Sequence, residues 1–271
     1  MTSCGPIGNR PARRLATAAQ LIKLPHRALG SPVQPATKRS LLLSASAWAQ
    51  VNVATISSHV NPHGIFITFE GPDGSGKTTQ MRRLAARLRG MGRAVLETAE
   101  PGGTPIGAKI RRILLDGANQ ELCPTAELLL YFASRAQNVD EWILPALARG
   151  EVVLADRFTD SSLVYQGYGR GLGAENVMAL DRIACRGLKP HLTLLVDIDA
   201  ETSLARAHAR NQAETSSETR MDEQSLEFHR EVYRAYHELA AREPERVKLI
   251  NGRAGMDEIE AEIWRLVSRY V

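Results

Sequence analysis

The stretch "GPDGSGKTT", residues 71–79, decides the fold of this chain. From Gly71 to Thr78 it fits the pattern G-x-x-x-x-G-K-[ST]. The apolar run Ile65–Glu70 before it predicts a strand, and Gln80–Arg89 after it predicts a helix. Glycines in such a loop let backbone N–H groups and the helix N-terminus face an anion. The stretch therefore predicts a phosphate-binding loop and leaves the second substrate open.

The loop predicts how a nucleotide is held. Lys77 is expected to reach the β- and γ-phosphates of ATP, and Thr78 is expected to ligate Mg²⁺. The expected ATP-binding residues are the whole loop: Gly71, Pro72, Asp73, Gly74, Ser75, Gly76, Lys77 and Thr78. Kinases, GTPases and ATPases share this loop. The chain contains no N-K-x-D motif of the kind that GTPases use to read their base, so other sites must separate a kinase from an ATPase.

Composition suits one ordinary domain plus an extension, because the 271 residues are 44% hydrophobic and 24% charged. No apolar run reaches the about 18 residues of a membrane helix, so no membrane contact is expected. The chain has 34 basic and 30 acidic residues, and seven of the basic ones precede the first acidic residue, Glu70. The basic excess therefore belongs to the N-terminal residues and predicts no nucleic-acid-binding domain.

Residues 1–62 are expected to form a basic extension before a domain over residues 63–271. The extension is rich in Ala, Ser, Pro and Arg and lacks acids, as organellar transit peptides do. A non-functional tail, or an upstream region translated from a misassigned start codon, would look the same. Cys4, Cys123 and Cys185 lack metal-ligand spacing, which favours thiols in a reducing compartment. We expect a cytoplasmic protein, with organelle targeting as the alternative.

Short apolar runs alternate with amphipathic segments through the predicted domain. Strands are predicted at Ile65–Glu70, Ala94–Thr98, Glu151–Ala155, Leu192–Ile198 and Val247–Asn251. Helices are predicted at Thr78–Arg89, Pro105–Leu115, Thr125–Arg149 with a break at Pro145, Ala174–Arg186, Glu223–Arg242 and Met256–Tyr270. This alternation predicts an α/β domain with a mainly parallel sheet. Residues 211–219, "NQAETSSET", are expected to be a polar, mobile patch.

Asp156 and Arg157 follow the predicted strand Glu151–Ala155. Ligands of open α/β sheets bind beyond the carboxyl ends of the strands. Asp156 is therefore expected to orient Mg²⁺ or its waters, with Arg157 pointing into the same crevice; a surface ion pair is the alternative. Residues 159–171, "TDSSLVYQGYGRG", offer hydroxyls, an amide and tyrosines. They suit a pocket that reads a base, and a surface loop is the alternative.

Two predicted helices carry further candidates. Tyr131 and Arg135 lie four residues apart in Thr125–Arg149 and so share a face. The ring could stack on a pyrimidine while the guanidinium donates to its carbonyl oxygens. Alternatively, Tyr131 belongs to the core and Arg135 to solvent. Arg111, in Pro105–Leu115, could hold an acceptor phosphate or lie on a solvated face.

Together these motifs resemble the thymidylate kinase family, its bacterial type in particular. The resemblance covers residues 64–271 and rests on "GPDGSGKTT", "EPGGTPIG", "YFASRAQ", "DRFTDSSLVYQGYGRG" and "ETRMDEQSLEFH". It implies a P-loop NTPase fold, a three-layer sandwich whose five-stranded parallel sheet has helices on both faces and a short mobile lid. It also implies transfer of the ATP γ-phosphoryl group to dTMP with Mg²⁺, giving dTDP for dTTP synthesis and DNA replication, usually from a homodimer.

The resemblance also implies a dTMP-binding set. Its members would be Asp73, Arg111, Tyr131, Arg135, Arg157, Ser162, Tyr165 and Gln166. Tyr131 takes the place of the aromatic residue that stacks on thymine, and Arg135 and Gln166 resemble the residues that read the base. Asp73 resembles the acid near the 3′-hydroxyl and the metal. Tyr165 resembles the residue that packs against the deoxyribose.

Catalysis is expected to rest on cations, because the acceptor phosphate oxygen is already ionised and needs no general base. Lys77 and Arg157 are the expected catalytic residues, and the bacterial type supplies another arginine from its lid. The lid of this chain departs from the family pattern R-G-E-x-D-R. The candidates for the mobile arginine are Arg206, Arg210 and Arg220. Arg210 and Arg220 are favoured because they flank the polar residues 211–219, and a solvated position on a helix is the alternative for each.

A deoxynucleoside kinase and a catalytically silent nucleotide-binding module are the alternatives. The first needs a base for its hydroxyl acceptor and leaves "EPGGT", residues 100–104, unexplained. The second is disfavoured by the intact residues Lys77, Thr78, Asp156 and Arg157.

Overall fold

The computed structural model describes residues 64–214 and 217–271, and the predicted extension 1–62 lies outside them. Within this part of the chain, five parallel strands form one sheet in the order β2-β3-β1-β4-β5. The strands are β1 Ile65–Glu70, β2 Val95–Ala99, β3 Val152–Asp156, β4 Leu192–Asp197 and β5 Val247–Asn251. The prediction of a parallel sheet is confirmed, and each predicted strand end is correct to within one residue.

Helices connect the strands. They are α1 Lys77–Gly90, α2 Pro105–Leu115, α3 Pro124–Asn138, α4 Leu144–Ala148, α5 Thr159–Ser162, α6 Ala174–Ala184, α7 Ala200–Glu214, α8 Leu226–Arg242 and α9 Met256–Val267. α7 is missing from the sequence prediction, and it includes residues 211–214 of the expected polar patch. Most apolar positions of α7 are alanines. Alanine favours a helix but leaves little apolar stripe to recognise.

Two π-helical turns account for two further differences between the predicted and the observed elements. The predicted helix Thr125–Arg149 is interrupted by a π-helical turn at Val139–Ile143. Pro145 then lies in the first turn of α4, where its missing N–H is tolerated. A second π-helical turn, Leu163–Gly169, follows α5 inside the segment predicted as a pocket or a surface loop. Such turns occur often at functional sites.

The core has two halves, one on each face of the sheet. In β1, Ile67 and Phe69 pack against α1 and α9, for example against Leu84. Phe66, which directly precedes Ile67, packs on the opposite face against Phe132 of α3. This alternation follows from the two-residue period of a strand, and it buries both faces. The result is the predicted three-layer arrangement.

The carboxyl ends of three strands meet at one edge of the sheet. Asp156 at the end of β3 pairs in register with Phe69 of β1 and with Ala99 of β2. The phosphate loop, the segment after β2 and Arg157 therefore begin side by side. Between residues 64 and 271, outside the undescribed positions 215 and 216, no helix is both long and apolar enough to cross a membrane.

Candidate active site

A cleft of about 750 Å³ opens at the carboxyl ends of β1, β2 and β3. It brings together most of the predicted site residues: Asp73, Gly74, Gly76, Lys77, Thr78, Arg111, Tyr131, Arg135, Asp156, Arg157, Ser162, Tyr165, Gln166 and Arg210. The other three predicted loop residues, Gly71, Pro72 and Ser75, are buried and do not line the cleft. Arg220 does not line the cleft.

The phosphate loop leads directly into α1. Gly76 precedes the helix with a φ of 95°, a left-handed conformation that favours glycine. The first turn of α1 contains no acidic residue. No carboxylate in the first turn of α1 therefore offsets the positive N-terminal end of the helix, and this end is suited to binding an anion.

Lys77 is buried at the start of α1, only 5% exposed. Its Nζ donates to the carbonyl oxygen of Pro72 at 2.8 Å. Burial, followed by the nearby charge of Arg157, lowers the pKa of Lys77 to about 8 against the opposing effect of Asp73. The charged form of this buried lysine is unfavourable in the absence of a bound anion. Binding of an anion next to the ammonium group would offset that cost.

Thr78 and Asp156 lie together on the same side of the cleft, where the Thr78 hydroxyl donates to the Asp156 carboxylate. Hydroxyl and carboxylate oxygens are hard ligands of the kind that Mg²⁺ prefers. The described residues contain no cluster of three or more His, Cys, Asp or Glu side chains that could hold a metal ion. The pair therefore fits a Mg²⁺ site that nucleotide phosphates complete, rather than an all-protein cage.

Arg157 has a strained backbone and a fixed side chain. Its φ is 71°, which is unusual for any residue other than glycine and is found at functional sites. Its N–H donates to Phe69 O at 2.9 Å, and its Nη2 donates to Asp73 Oδ1 at 3.0 Å. The sequence left open a surface pair of Arg157 with Asp156; the partner is instead Asp73, inside the cleft.

Asp73 remains ionised in this setting. Burial by itself would raise the pKa of Asp73, but the charges of Arg157 and Lys77 outweigh burial and hold the pKa well below its usual range. The two cations and the carboxylate therefore form one charged group between the phosphate loop and the end of β3.

Arg135, on α3, lines the cleft. Its side chain is only 1% exposed, so the alternative of a solvated Arg135 is wrong. Its Nε donates to Glu100 Oε2 at 2.5 Å, and its Nη2 donates to Ser162 Oγ at 3.0 Å. Within the described part of the chain its Nη1 is buried without a hydrogen-bond partner. Tyr131, one turn earlier on α3, is half-buried and lines the same cleft. The alternative of a Tyr131 confined to the core is therefore also wrong.

Arg111 contacts a carboxylate from the segment after α7. Its Nε and Nη2 donate to Glu218 at 2.9 and 2.7 Å, and its Nη1 donates to Pro101 O at 2.9 Å. This fork is the geometry in which a guanidinium binds either a carboxylate or a phosphate. Arg111 lines the cleft and does not lie on a purely solvated face; its contact with an acceptor phosphate stays a prediction.

The placement of Arg220 corrects the prediction of two equivalent lid arginines. Arg220 is 2% exposed; its N–H and Nε donate to Leu115 O and Leu114 O, and its Nη1 donates to Glu127 at 2.7 Å. It satisfies the free carbonyls at the C-terminus of α2, where a cation is also favoured. Arg210, with a side chain 42% exposed, lines the cleft beside Asp222 at 3.4 Å.

Sequence reasoning missed two buried carboxylates near the cleft, Glu127 and Glu70. Glu127 is fully buried and accepts a hydrogen bond from Gln166, which lines the cleft. Its position four residues before Tyr131 was the available signal, since residues at this spacing share a helix face. Arg206, the lid candidate that was not favoured from the sequence, also lines the cleft, one turn before Arg210 on α7. Glu70, under the site, is buried, and burial followed by the charge of Asp160 raises its pKa to about 7.

The fold and the cleft define a P-loop NTPase with cations arranged to bring two anionic groups together. The family model described as thymidylate kinase matches residues 69–263. This chain belongs to the thymidylate kinase family.

Known proteins agree with this assignment. The chain is 50% identical over 203 residues to the thymidylate kinase of Pelobacter propionicus, covering 74% of this chain and 92% of that protein. It is 49% identical to the one of a Synechococcus strain, covering 75% and 94%. A crystal structure of thymidylate kinase from Ehrlichia chaffeensis superposes with a TM-score of 0.62 at 29% identity, covering 76% of this chain and 98% of that one.

Proposed function

We propose that the chain transfers the γ-phosphoryl group of ATP to dTMP, with Mg²⁺, giving dTDP and ADP for dTTP synthesis. Membership of the thymidylate kinase family supports the reaction. The observation that carries the proposal is that the phosphate loop and the wall with Tyr131 and Arg135 face the same cleft. The loop would hold the phosphates of ATP, and the wall would hold the base of dTMP.

The reaction requires alignment of two anions and neutralisation of charge on the group in transfer. Lys77 and Arg157 are the proposed catalytic cations. Lys77 would exchange its hydrogen bond with Pro72 for bonds to the β- and γ-phosphates, which would offset the cost of its burial. Asp73 holds Arg157 in place, so Arg157 need not order its long side chain when dTMP arrives. No side chain has to remove a proton, because the acceptor oxygen is ionised.

Thr78 and Asp156 are the residues that would hold Mg²⁺. When bound there, the ion would supply positive charge that offsets the negative charge of the transferring phosphoryl group. The proposed role rests on the adjacency of the Thr78 hydroxyl and the Asp156 carboxylate.

The proposed dTMP site follows the walls of the cleft. Tyr131 would stack on thymine while Arg135 and Gln166 read its edge, with Ser162 holding Arg135. Tyr165 would pack against the deoxyribose, and its ring lies 5.0 Å from the Arg157 guanidinium. The phosphate of dTMP would lie between Arg157 and Arg111 (the latter paired with a carboxylate in this structure).

Arg210 is the arginine that we propose to act on ATP from the lid. It is partly exposed, it lines the cleft, and its bond to Asp222 is long at 3.4 Å, so it can turn at small cost. Arg206, one turn earlier, is a second cation on the same face of α7.

The chain is proposed to work as a homodimer. Large apolar side chains are exposed on the neighbouring helices α2 and α3: Ile106 is 46% exposed, Ile113 47% and Leu129 51%. Ile106 and Ile113 are two helical turns apart and share a face. A second copy covering this surface would remove it from water. Sedimentation of the wild type and of Ile113→Glu tests this, because a charge at a buried interface should give monomers.

The test of the reaction is an ADP-release assay with ATP, Mg²⁺ and each nucleoside monophosphate in turn, and with thymidine as an alternative acceptor. We expect turnover with dTMP that exceeds turnover with the others and depends on Mg²⁺. Faster turnover with thymidine would indicate a deoxynucleoside kinase instead. ADP release that ignores the acceptor would contradict the proposal. The cytoplasmic location stays a prediction.

A further inference from the structure

Glu127 is a buried carboxylate that the proposed reaction does not use. It lies on the face of α3 that also carries Tyr131 and Arg135, at four-residue spacing. It accepts hydrogen bonds from three side chains: Gln166 Nε2 at 2.9 Å, Arg170 Nη2 at 3.0 Å and Arg220 Nη1 at 2.7 Å. These three come from the second π-helical turn, from the residue after it, and from the segment that packs on α2.

The charge of Glu127 determines what it can bind. Burial by itself would raise the pKa of Glu127, but hydrogen bonds from Arg170 and Gln166 outweigh burial and lower the pKa. An ionised carboxylate accepts hydrogen bonds and cannot donate one. Only the NH₂ end of the Gln166 amide can therefore face Glu127.

A glutamine amide has a donor end and an acceptor end of nearly the same shape. Because Glu127 binds the donor end of Gln166, the carbonyl oxygen lies at the other end of the amide, on a residue that lines the cleft. Ser162, one helical turn before Gln166, accepts a hydrogen bond from Arg135 at 3.0 Å. Arg135 in turn has a buried N–H group at Nη1 with no partner in the described residues. This wall thus combines a donor on Arg135 with an acceptor on Gln166.

That pair of groups matches one kind of pyrimidine. Thymine and uracil present an acceptor at O4 and a donor at N3–H. Cytosine presents the reverse pattern, a donor at N4 and an acceptor at N3. If the Gln166 amide were turned round, its NH₂ group would suit cytosine N3 and would oppose the N3–H of thymine.

We propose that Glu127 is a positioning residue that fixes the amide orientation of Gln166 and so sets the preference for thymine and uracil over cytosine. This inference rests on the proposed function. Arg170 and Arg220 form ion pairs with Glu127. These two contacts keep the carboxylate in the same position whichever base is bound.

The test compares kcat/KM for dTMP, dUMP and dCMP in the wild type and in Glu127→Gln. The new amide has the same shape but can donate or accept, so it no longer forces one orientation on Gln166. We expect the dTMP to dCMP ratio to fall by about tenfold or more, mainly through a higher KM for dTMP. The value for dUMP should fall together with that for dTMP, because the two bases share this edge.

Arg170→Gln is the matched control. It removes an ion-pair partner of Glu127 but keeps the bond between Glu127 and Gln166, so it should lower the melting temperature and leave the base ratio within about twofold. The double variant Glu127→Gln, Arg170→Gln removes one charge of each sign. Compared with Arg170→Gln alone, it gives the effect of Glu127 even if Glu127→Gln does not fold by itself.

Two results would overturn the inference. One is a base ratio that does not change when Glu127 is replaced, and the other is a ratio that changes equally in Arg170→Gln. A wild-type chain that does not phosphorylate dTMP would instead contradict the proposed function, so the two failures are distinguishable.

Discussion

Replacing Lys77 by methionine is expected to abolish phosphoryl transfer and, at the same time, to stabilise the fold. Burial, together with the charge of Arg157, lowers the pKa of Lys77 from its usual 10.5 to about 8. A shift of about 2.5 units makes the buried ammonium unfavourable by about 3 kcal/mol near neutral pH. Losing the hydrogen bond to Pro72 costs about 1 kcal/mol. The net gain of about 2 kcal/mol should raise Tm by roughly 4–8 °C in a domain of this size.

The gain should depend on pH with a definite sign. Because the pKa of Lys77 is lower in the folded chain, the unfolded chain binds more protons between pH 8 and 10.5, and wild-type stability rises with pH in that window. The cost of Lys77 is complete below pH about 8 and is relieved above it. The Tm difference between Lys77→Met and wild type should therefore shrink as the pH rises from about 7 to about 10.

Calorimetry without nucleotide measures Tm, and the ADP-release assay should show a loss of about 10³-fold or more. Lys109→Met is the control, because Lys109 is exposed on α2 and does not line the cleft; it should change neither quantity. A Lys77→Met variant that is less stable than wild type near pH 7 would refute this reasoning. So would a gain that stays constant with pH.

Three further outcomes are expected. Arg157→Ala should lower kcat/KM for dTMP by about 10³-fold while circular dichroism stays unchanged; activity within a fewfold of wild type would contradict its role. Arg210→Ala should lower kcat and leave Tm unchanged. Arg220→Ala should instead lower stability by about 1–3 kcal/mol, because it removes the donors to Leu114 O and to Glu127, which keeps Arg170 as its other cation. Equal Tm values for the two variants would show that the distinction is wrong. Removing residues 1–60 should leave turnover intact, and a folded but inactive truncation would contradict this.

Local patterns predicted the elements that hold the nucleotide. The apolar run of β1, the loop from Gly71 to Thr78 and the start of α1 are adjacent in sequence, so their order and spacing are visible in the chain itself. Arg157 was found from its place at a strand end. Its left-handed backbone and its bond to Asp73, 84 positions away, depend on two segments meeting in space. The helix α7 was missed because most of its apolar residues are alanines, which leave only a weak apolar stripe for the sequence to show.

The sequence by itself determined the parallel sheet and the phosphate loop, because apolar periodicity and short-range spacing encode both. It also indicated the family, through the resemblance of its motifs to those of thymidylate kinases. Only the tertiary structure decided between the two lid arginines, Arg210 and Arg220. Both are arginines beside the same polar segment, but one meets the free carbonyls of α2 and the carboxylate of Glu127, 93 positions away, while the other remains at the cleft. The role of a charge follows from its burial and its partner, and both are properties of packed elements rather than of neighbouring residues.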